Sequence, residues 1–533
     1  MHHAQVRKSP SMFCRSKCTI STSYLNYLIN GYIRNSRLTD ARKLFDQNLK
    51  SRNVVSWNLM INGYIRNDQM QNAHNMFDRM PNRDIVSWNT MLMGFQRINN
   101  PDKVIQCFIQ MGRIPLGPNE FTLSTVISAI SNTSFKFLIP QLHARIVCLA
   151  FDSCVFVASS LMGGYTNLGC QFDLRRVFDD IAMKNVTSWN ALISGYMDLG
   201  CVAEAYRAFE MMPERNIISW TTLVNGYICN KKLEEARFNF DKMTQRNAVS
   251  WTVMINGYRQ YGKFVDALEL FVLMWKSEIR PNQYTFSSVL SLCAGSSSLI
   301  MGKQVHSSIL KSGFPVDVIL SSSLIDMYAK CGDISAAAYV FEFMPKKNLV
   351  SWNSIIGGYA RHGFGTRALE EFERMKKDGF RPDQVTFINV LSACGHGGLV
   401  EEGERHFISM ETEFGIQAGM EHYACMVDLF GRAGQLEKAE NLIKGMPFEP
   451  DLVVWGALLG ACGLHSSLEL GLFAAEGIYK LEQDHPAVYS MLSKIHGDRG
   501  VWSSVIELRK MMKQLRAKKQ KAGSWIESSS SIR

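Results

Sequence analysis

Six tryptophans fall at recurring intervals along the chain. Trp57 and Trp88 are 31 residues apart, Trp189, Trp220 and Trp251 are separated by 31 each, and a step of 101 carries Trp88 to Trp189 and Trp251 to Trp352. Such a recurrence means that one supersecondary unit is repeated, because a unit too small to bury its own apolar face is stable only when stacked on its neighbours. The longer step resolves into units of 35, 35 and 31 residues, at 85–119, 120–154 and 155–185 and again at 248–282, 283–317 and 318–348. Further units at 22–53, 54–84, 186–216, 217–247, 349–383, 384–419 and 420–451 bring the total to thirteen. A chain of 533 residues is too long for one compact core, and the repeat accounts for how it is organised.

Each unit reads as two helices. In VVSWNLMINGYIRN the spacing sets Trp57, Met60, Ile61 and Tyr64 on one apolar stripe, and the second helix carries Ala73, Met76, Phe77 and Met80. Pro81, Pro213, Pro345 and Pro447 each follow a methionine at the same place, where a residue without an N–H stops the helix. The expected fold is all-α, a stack of helix-turn-helix repeats whose tryptophans and methionines are core.

Composition narrows the chemistry. With 58 basic and 48 acidic side chains the net charge is +10, which suits an acidic partner without specifying one. No apolar run approaches the roughly 20 residues of a membrane span, so no membrane partner is expected. The 13 cysteines contain no CxxC pair and are expected to be reduced, buried thiols; Cys14 and Cys18, near His2 and His3, lack a second ligand pair. HExxH and GxSxG are absent. GYRQYGKF, from Gly257 to Phe264, has phosphate-loop spacing but ends in Phe where a hydroxyl is required. No metal, no cofactor and no enzymatic activity are expected.

The blocks NVVSWNLMINGYIRN, NVTSWNALISGYMDLG and NLVSWNSIIGGYARHG, with PNEFTLSTVISA and PNQYTFSSVLSLCA opening longer units, resemble pentatricopeptide repeats of the plant PLS subclass over about nine-tenths of the chain. A tetratricopeptide array keeps one length near 34 residues and does not explain a 101-residue period. The resemblance implies a right-handed superhelical solenoid that binds single-stranded RNA, reading one base per repeat with the fifth and last residues. The implied pairs are Asn26 with Asn53, Asn58 with Asp84, Asn89 with Asn119, Ser159 with Asn185, Asn190 with Asn216, Thr221 with Asn247, Thr252 with Asn282, Ser322 with Asn348 and Asn353 with Asp383. Ser124 with Cys154 and Ser287 with Asp317, in the middle units of the triplets, read poorly. Three residues before the fifth position stand Val55, Val86, Phe156, Ile218, Val249, Ile319 and Val350, with Phe121 and Tyr284 in the middle units. These side chains are expected to sandwich bases. The implied target, from the first repeat, is Y, U, Y, unread, A, Y, A, A, unread or G, A, U. The terminal Asn and Asp residues also suit helix N-caps, and that role competes with base reading as their explanation. No base is assigned where the pattern departs from the family, at Cys154, Ile388, Gly419 and Ala424.

After residue 451 the sequence resembles the E extension of the same family, with hairpins expected at 452–485 and 486–520 and a short tail at 521–533. In relatives this extension serves organellar C-to-U editing. It implies a site-recognition factor that recruits a DYW-type deaminase in trans, together with other editing-complex proteins. The alternative is transcript stability, splicing or processing without editing, and a protein-binding scaffold fits the polar positions less well. The deaminase signature HxE is not found at any of the twelve histidines. Arg509, Lys510, Lys513, Arg516, Lys518, Lys519 and Lys521 form a basic run suited to phosphate backbone or to solvation. Residues 1–21 are basic, serine-rich and free of acid, the composition of an organellar targeting leader, with the mitochondrion favoured over the chloroplast.

Overall fold

The computed structural model describes residues 21–35, 37–113, 117–313, 317–483 and 485–514. The leader through residue 20, the tail at 521–533, Cys14, Cys18 and the basic residues Arg516, Lys518, Lys519 and Lys521 lie outside them, as does the side chain of Lys513. Among the described residues there are 30 α-helices and no strand, so the molecule is all-α. The chain divides into two compact units, residues 1–246 and 247–533, and within each the helices pair into successive hairpins.

One hairpin shows the local logic. Val54–Arg66 starts at Asn53, whose side chain accepts from the Ser56 amide, while the Ser56 hydroxyl accepts from the Asn53 amide, a reciprocal capping box. The helix ends as Asp68 takes a left-handed φ of 57°, and Met70–Asp78 follows. The fifteenth residue of a unit repeats this turn: Asn99, Gly200 and Lys231 in the first unit and Gly262, Ser297, Gly332 and Gly363 in the second all have positive φ. Glycine fits this turn without strain, and the residues bearing a Cβ each accept roughly 1 kcal/mol. Second helices end two or three residues before the proline that follows the methionine, as at Met211 before Pro213.

Stacking is carried by a phenylalanine of one second helix and the tryptophan of the next first helix. Phe77 and Trp88 meet edge to face at 4.9 Å, Phe178 and Trp189 at 4.7 Å, Phe209 and Trp220 at 4.8 Å, and Phe341 and Trp352 at 4.7 Å. An arginine then closes the helix below. Arg83 donates to the Phe77 and Asp78 carbonyls while its guanidinium lies 4.6 Å from the Phe77 ring, and Arg215 repeats this on Phe209 and Glu210. These cations are therefore structural. At Gly226 a Cβ would lie 2.3 Å from Met197, so the hairpins approach too closely there for any side chain.

In the second unit one apolar cluster runs unbroken from Leu391 through Val427 and Leu458 to Ile495. It joins the last repeats to Leu452–His465, Leu468–Leu481 and Pro486–Asp498, and Trp502–Gln514 closes the described chain. Among the described residues no helix is long and apolar enough to cross a membrane. Cysteine burial departs from the sequence expectation. Cys107, Cys293, Cys394 and Cys462 are buried, but Cys148 and Cys229 are exposed on second-helix and first-helix ends, where no core position selects the thiol. Burial pushes the Cys107 and Cys394 thiols up to about 12.

Candidate nucleic-acid interface

The last residue of a unit is also the N-cap of the next first helix, and this settles its geometry. Asn53, Asp84, Asn119, Asn185, Asn216, Asn247, Asn282, Asp317, Asn348 and Asp383 all accept from the amide three residues on, at 2.8–3.0 Å. Capping thus accounts fully for Asn or Asp at this position. In four repeats it also places the cap oxygen within reach of the fifth residue of the unit it closes.

Asparagine at the fifth position reaches across to that cap. Asn26 Nδ2 donates to Asn53 Oδ1 at 3.3 Å, Asn58 to Asp84 at 3.3 Å, Asn89 to Asn119 at 3.2 Å and Asn353 to Asp383 at 3.1 Å. Four implied pairs are therefore joined side chain to side chain. The Oδ1 atoms of Asn58 and Asn190 are buried without a partner. Threonine and serine behave differently. Thr221 donates to the Ile217 carbonyl, Thr252 to Ala248, Ser159 to Val155 and Ser322 to Val318, at 2.6–2.7 Å. Each turns back on its own helix. Length accounts for part of the contrast: the amides of Asn26, Asn58, Asn89 and Asn353 reach the cap, no such bond joins Asn190 to Asn216, and the shorter hydroxyls bond within their own helix. Thr221 belongs to the first unit and Asn247 to the second.

Electrostatics favours anionic caps. Burial opposes ionisation of Asp84 and Asp383, yet hydrogen bonds from Ser87 and Asn58, and from Thr386 and Asn353, outweigh it and hold both carboxyls below the usual range.

Beside each fifth residue, one helical turn earlier, the second-position side chains face solvent. Val55, Val86, Phe156, Ile218, Val249, Ile319 and Val350 are 43–63% exposed, and Phe121, Tyr284 and Val385 share the position. Apolar groups left out at one repeated site are not explained by packing. A cavity of about 730 Å³ among Phe271, Trp275, Phe286 and Val305 is lined by none of the fifth or last residues paired above. The candidate site is a face, not a pocket.

Sequence reasoning passed over the third position. Ser56, Ser87, Thr122, Ser188, Ser219, Ser250, Thr285, Ser351 and Thr386 are buried, and every one supplies the amide that its cap accepts. A hydroxyl three residues after the Asn or Asp, present at every one of these caps but Asp317, is the capping-box spacing, and that signal was available. The middle units are also built differently: Ser124 Oγ lies 2.5 Å from Ser160 Oγ and Ser287 Oγ 2.7 Å from Ser323 Oγ, so each fifth residue is tied to the sixth of the next helix. His143 and His306 pair with the Tyr165 and Tyr328 hydroxyls at 2.9 and 2.8 Å.

Fold and face together define a tandem helical-hairpin protein with a polar fifth residue repeated in eleven successive hairpins. Residues 52–85, 246–295 and 347–396 match the PPR repeat family, and seven further stretches between 25 and 449 match the single PPR repeat. Residues 465–527 match the E motif. The Arabidopsis thaliana pentatricopeptide repeat-containing protein At1g50270 is 38% identical over 503 residues, 94% of this chain and 69% of that protein. The relative At2g03880, mitochondrial, from the same plant is 32% identical over 94% of this chain and 64% of its own length. At3g49170, chloroplastic, also from Arabidopsis, is 44% identical over 50% and 31%. The crystal structure of the pentatricopeptide repeat protein PPR10 from maize aligns with a TM-score of 0.45 at 16% identity, over 94% of this chain and 85% of that one. The chain belongs to the pentatricopeptide repeat family and carries an E motif. It spans 31–69% of the length of these three relatives.

Proposed function

We propose that the chain binds single-stranded RNA along the first-helix face, one base per repeat. Its fifth and last residues read the Watson–Crick edge, and its second-position apolar side chains sandwich the bases. The observation that carries this reading is the repeated placement of an exposed apolar residue one turn from a polar pair, as with Val350 beside Asn353 and Asp383. Unpaired bases offer aromatic faces to the first and hydrogen-bonding edges to the second. In this reading Asn with Asp selects U, Asn with Asn a pyrimidine, and Thr or Ser with Asn an A, where the short side chain leaves room for a purine.

The E motif supports a finer role, site recognition for C-to-U editing of an organellar transcript, with a deaminase recruited in trans. Trp502 and Ile506, 64% and 57% exposed on one face of Trp502–Gln514, give such a partner an apolar surface. The mitochondrion is the proposed compartment; relatives carry both mitochondrial and chloroplastic names. Synthetic RNA of the series Y, U, Y, N, A, Y, A, A, N, A, U should bind at least tenfold tighter than a scrambled strand at the same salt. Equal affinity refutes the base assignment.

A further inference from the structure

Resting on that reading, we infer that the buried third-position threonine of each following repeat is a specificity-positioning residue. Its hydroxyl fixes the polar sense of the fifth-position side chain in the repeat before it.

An asparagine amide presents a donor and an acceptor side by side, and turning it over exchanges them. Uracil and cytosine differ by that exchange, because N3 is a donor in one and an acceptor in the other. An unpinned amide adapts to both, and a pinned one discriminates. Two anchors are needed. The last residue is one: its Oδ1 accepts from Asn353 or Asn89 Nδ2, which fixes the nitrogen end. For the oxygen end, Thr386 Oγ1 donates to Asn353 Oδ1 at 2.7 Å and Thr122 Oγ1 to Asn89 Oδ1 at 2.7 Å.

Proton count makes the second anchor specific. Each hydroxyl has one hydrogen and two acceptors in reach, since Thr386 Oγ1 is also 2.7 Å from Asp383 Oδ1 and Thr122 Oγ1 2.8 Å from Asn119 Oδ1. Asp383 and Asn119 are already supplied by the backbone amides of Thr386 and Thr122 and by the fifth-position Nδ2. The hydroxyl hydrogen is free to hold the amide oxygen.

Threonine does this more consistently than serine. All three buried third-position threonines meet the preceding fifth residue, Thr285 by way of Thr252 Oγ1 at 2.8 Å. Among serines, Ser56 reaches Asn26, but the hydroxyls of Ser87 and Ser219 go to their own caps and leave the Oδ1 atoms of Asn58 and Asn190 unpartnered. β-Branching restricts threonine χ1, whereas the serine hydroxyl swings between acceptors.

The experiment uses the full chain and the synthetic eleven-base RNA with U or C at its last position, facing Asn353 and Asp383. Thr386→Val should reduce the U-over-C preference about fivefold, the scale of one neutral hydrogen bond, while preferences at other bases stay as they were. Thr386→Ser should restore at least part of it. As a gain-of-function arm that does not depend on tolerating a buried deletion, Ser87→Thr should sharpen the U preference at the second base, facing Asn58 and Asp84. An unchanged last-base preference in folded Thr386→Val overturns the inference, as does an unchanged second-base preference in folded Ser87→Thr. Asn353→Thr separates the two levels. If it also leaves the last-base preference unaltered, the base-reading assignment itself fails.

Discussion

The repeat at 349–383 and the extension hairpin at 452–485 are built by the same rules and equipped differently. Both first helices start at a capping side chain, Asn348 and Asp451, and both end at a fifteenth residue of positive φ, Gly363 at 76° and Ser466 at 52°. Both bury their apolar stripe, Ile355 and Ile356 in one and Leu458 and Leu459 in the other. The third residue, however, changes from buried Ser351 to buried Val454, and the fifth from Asn353 to Gly456, where a Cβ would touch nothing. Hairpin stacking and the proposed base reading therefore rest on separate residue sets. The intermediate repeats show the loss in steps: Thr386 persists at 384–419 although the fifth residue is Ile388, and at 420–451 His422 takes over the capping box, accepting from the Gly419 amide at 3.1 Å.

The largest effects should come from what the two regions share. Trp352 is fully buried against Phe341, and Trp352→Ala should cost about 3–5 kcal/mol in chemical denaturation, the usual range for removing a large core aromatic. In the extension, Gly477→Leu should be comparably harmful, because a Cβ there would lie 2.4 Å from the Trp455 ring. A loss below about 1 kcal/mol in both would break the view that one packing rule serves repeat and extension alike.

Next come the residues that differ. Thr252→Asn should move the preference at its base from A toward a pyrimidine by about 1–3 kcal/mol, read as competing RNA affinities at fixed salt. Gly456→Asn should gain no base preference, since the third residue of the following hairpin is Val488, which has no hydroxyl to hold the new amide. Discrimination appearing in that variant would show that a fifth-position asparagine suffices alone.

How much of this was legible follows from what each feature depends on. Tryptophan spacing gave the hairpins because one ring per unit packs on one phenylalanine, a strictly periodic requirement. The capping residues and the exposed second-position side chains were legible by position. Their full use as caps was underrated, although a serine or threonine three residues on marks it. The cation that precedes several caps, Arg83 or Arg215, is spent on helix carbonyls and a phenylalanine ring, a use that its charge in the sequence does not disclose. Where each threonine hydrogen goes was not legible, because it depends on rotamers and on which acceptors the backbone has already supplied.

A smaller effect separates aspartate caps from asparagine caps. Asp84 and Asp383 have folded-state pKa values lowered by their donors, so the stability they contribute is complete above the unfolded carboxyl value of roughly 4 and is lost as pH falls through the folded one. Melting temperature should be less sensitive to acid below about pH 4 in the double variant Asp84→Asn, Asp383→Asn than in the native chain. Identical acid sensitivity would mean that these two caps are not ionised partners of their serine and threonine neighbours.

The smallest effect on RNA should come from the extension surface. Trp502 and Ile506 are one turn apart and exposed, and Arg509 and Lys510 on the same helix are exposed too. Replacing both apolar side chains with alanine removes little buried area, so stability should change by no more than about 0.5 kcal/mol and RNA affinity should hold. If the extension is a docking element, the same variant should lose most of its association with a purified DYW-type deaminase domain. A parallel loss of RNA affinity would place the extension on the RNA instead, and would erase the division between the hairpins that read and those that do not.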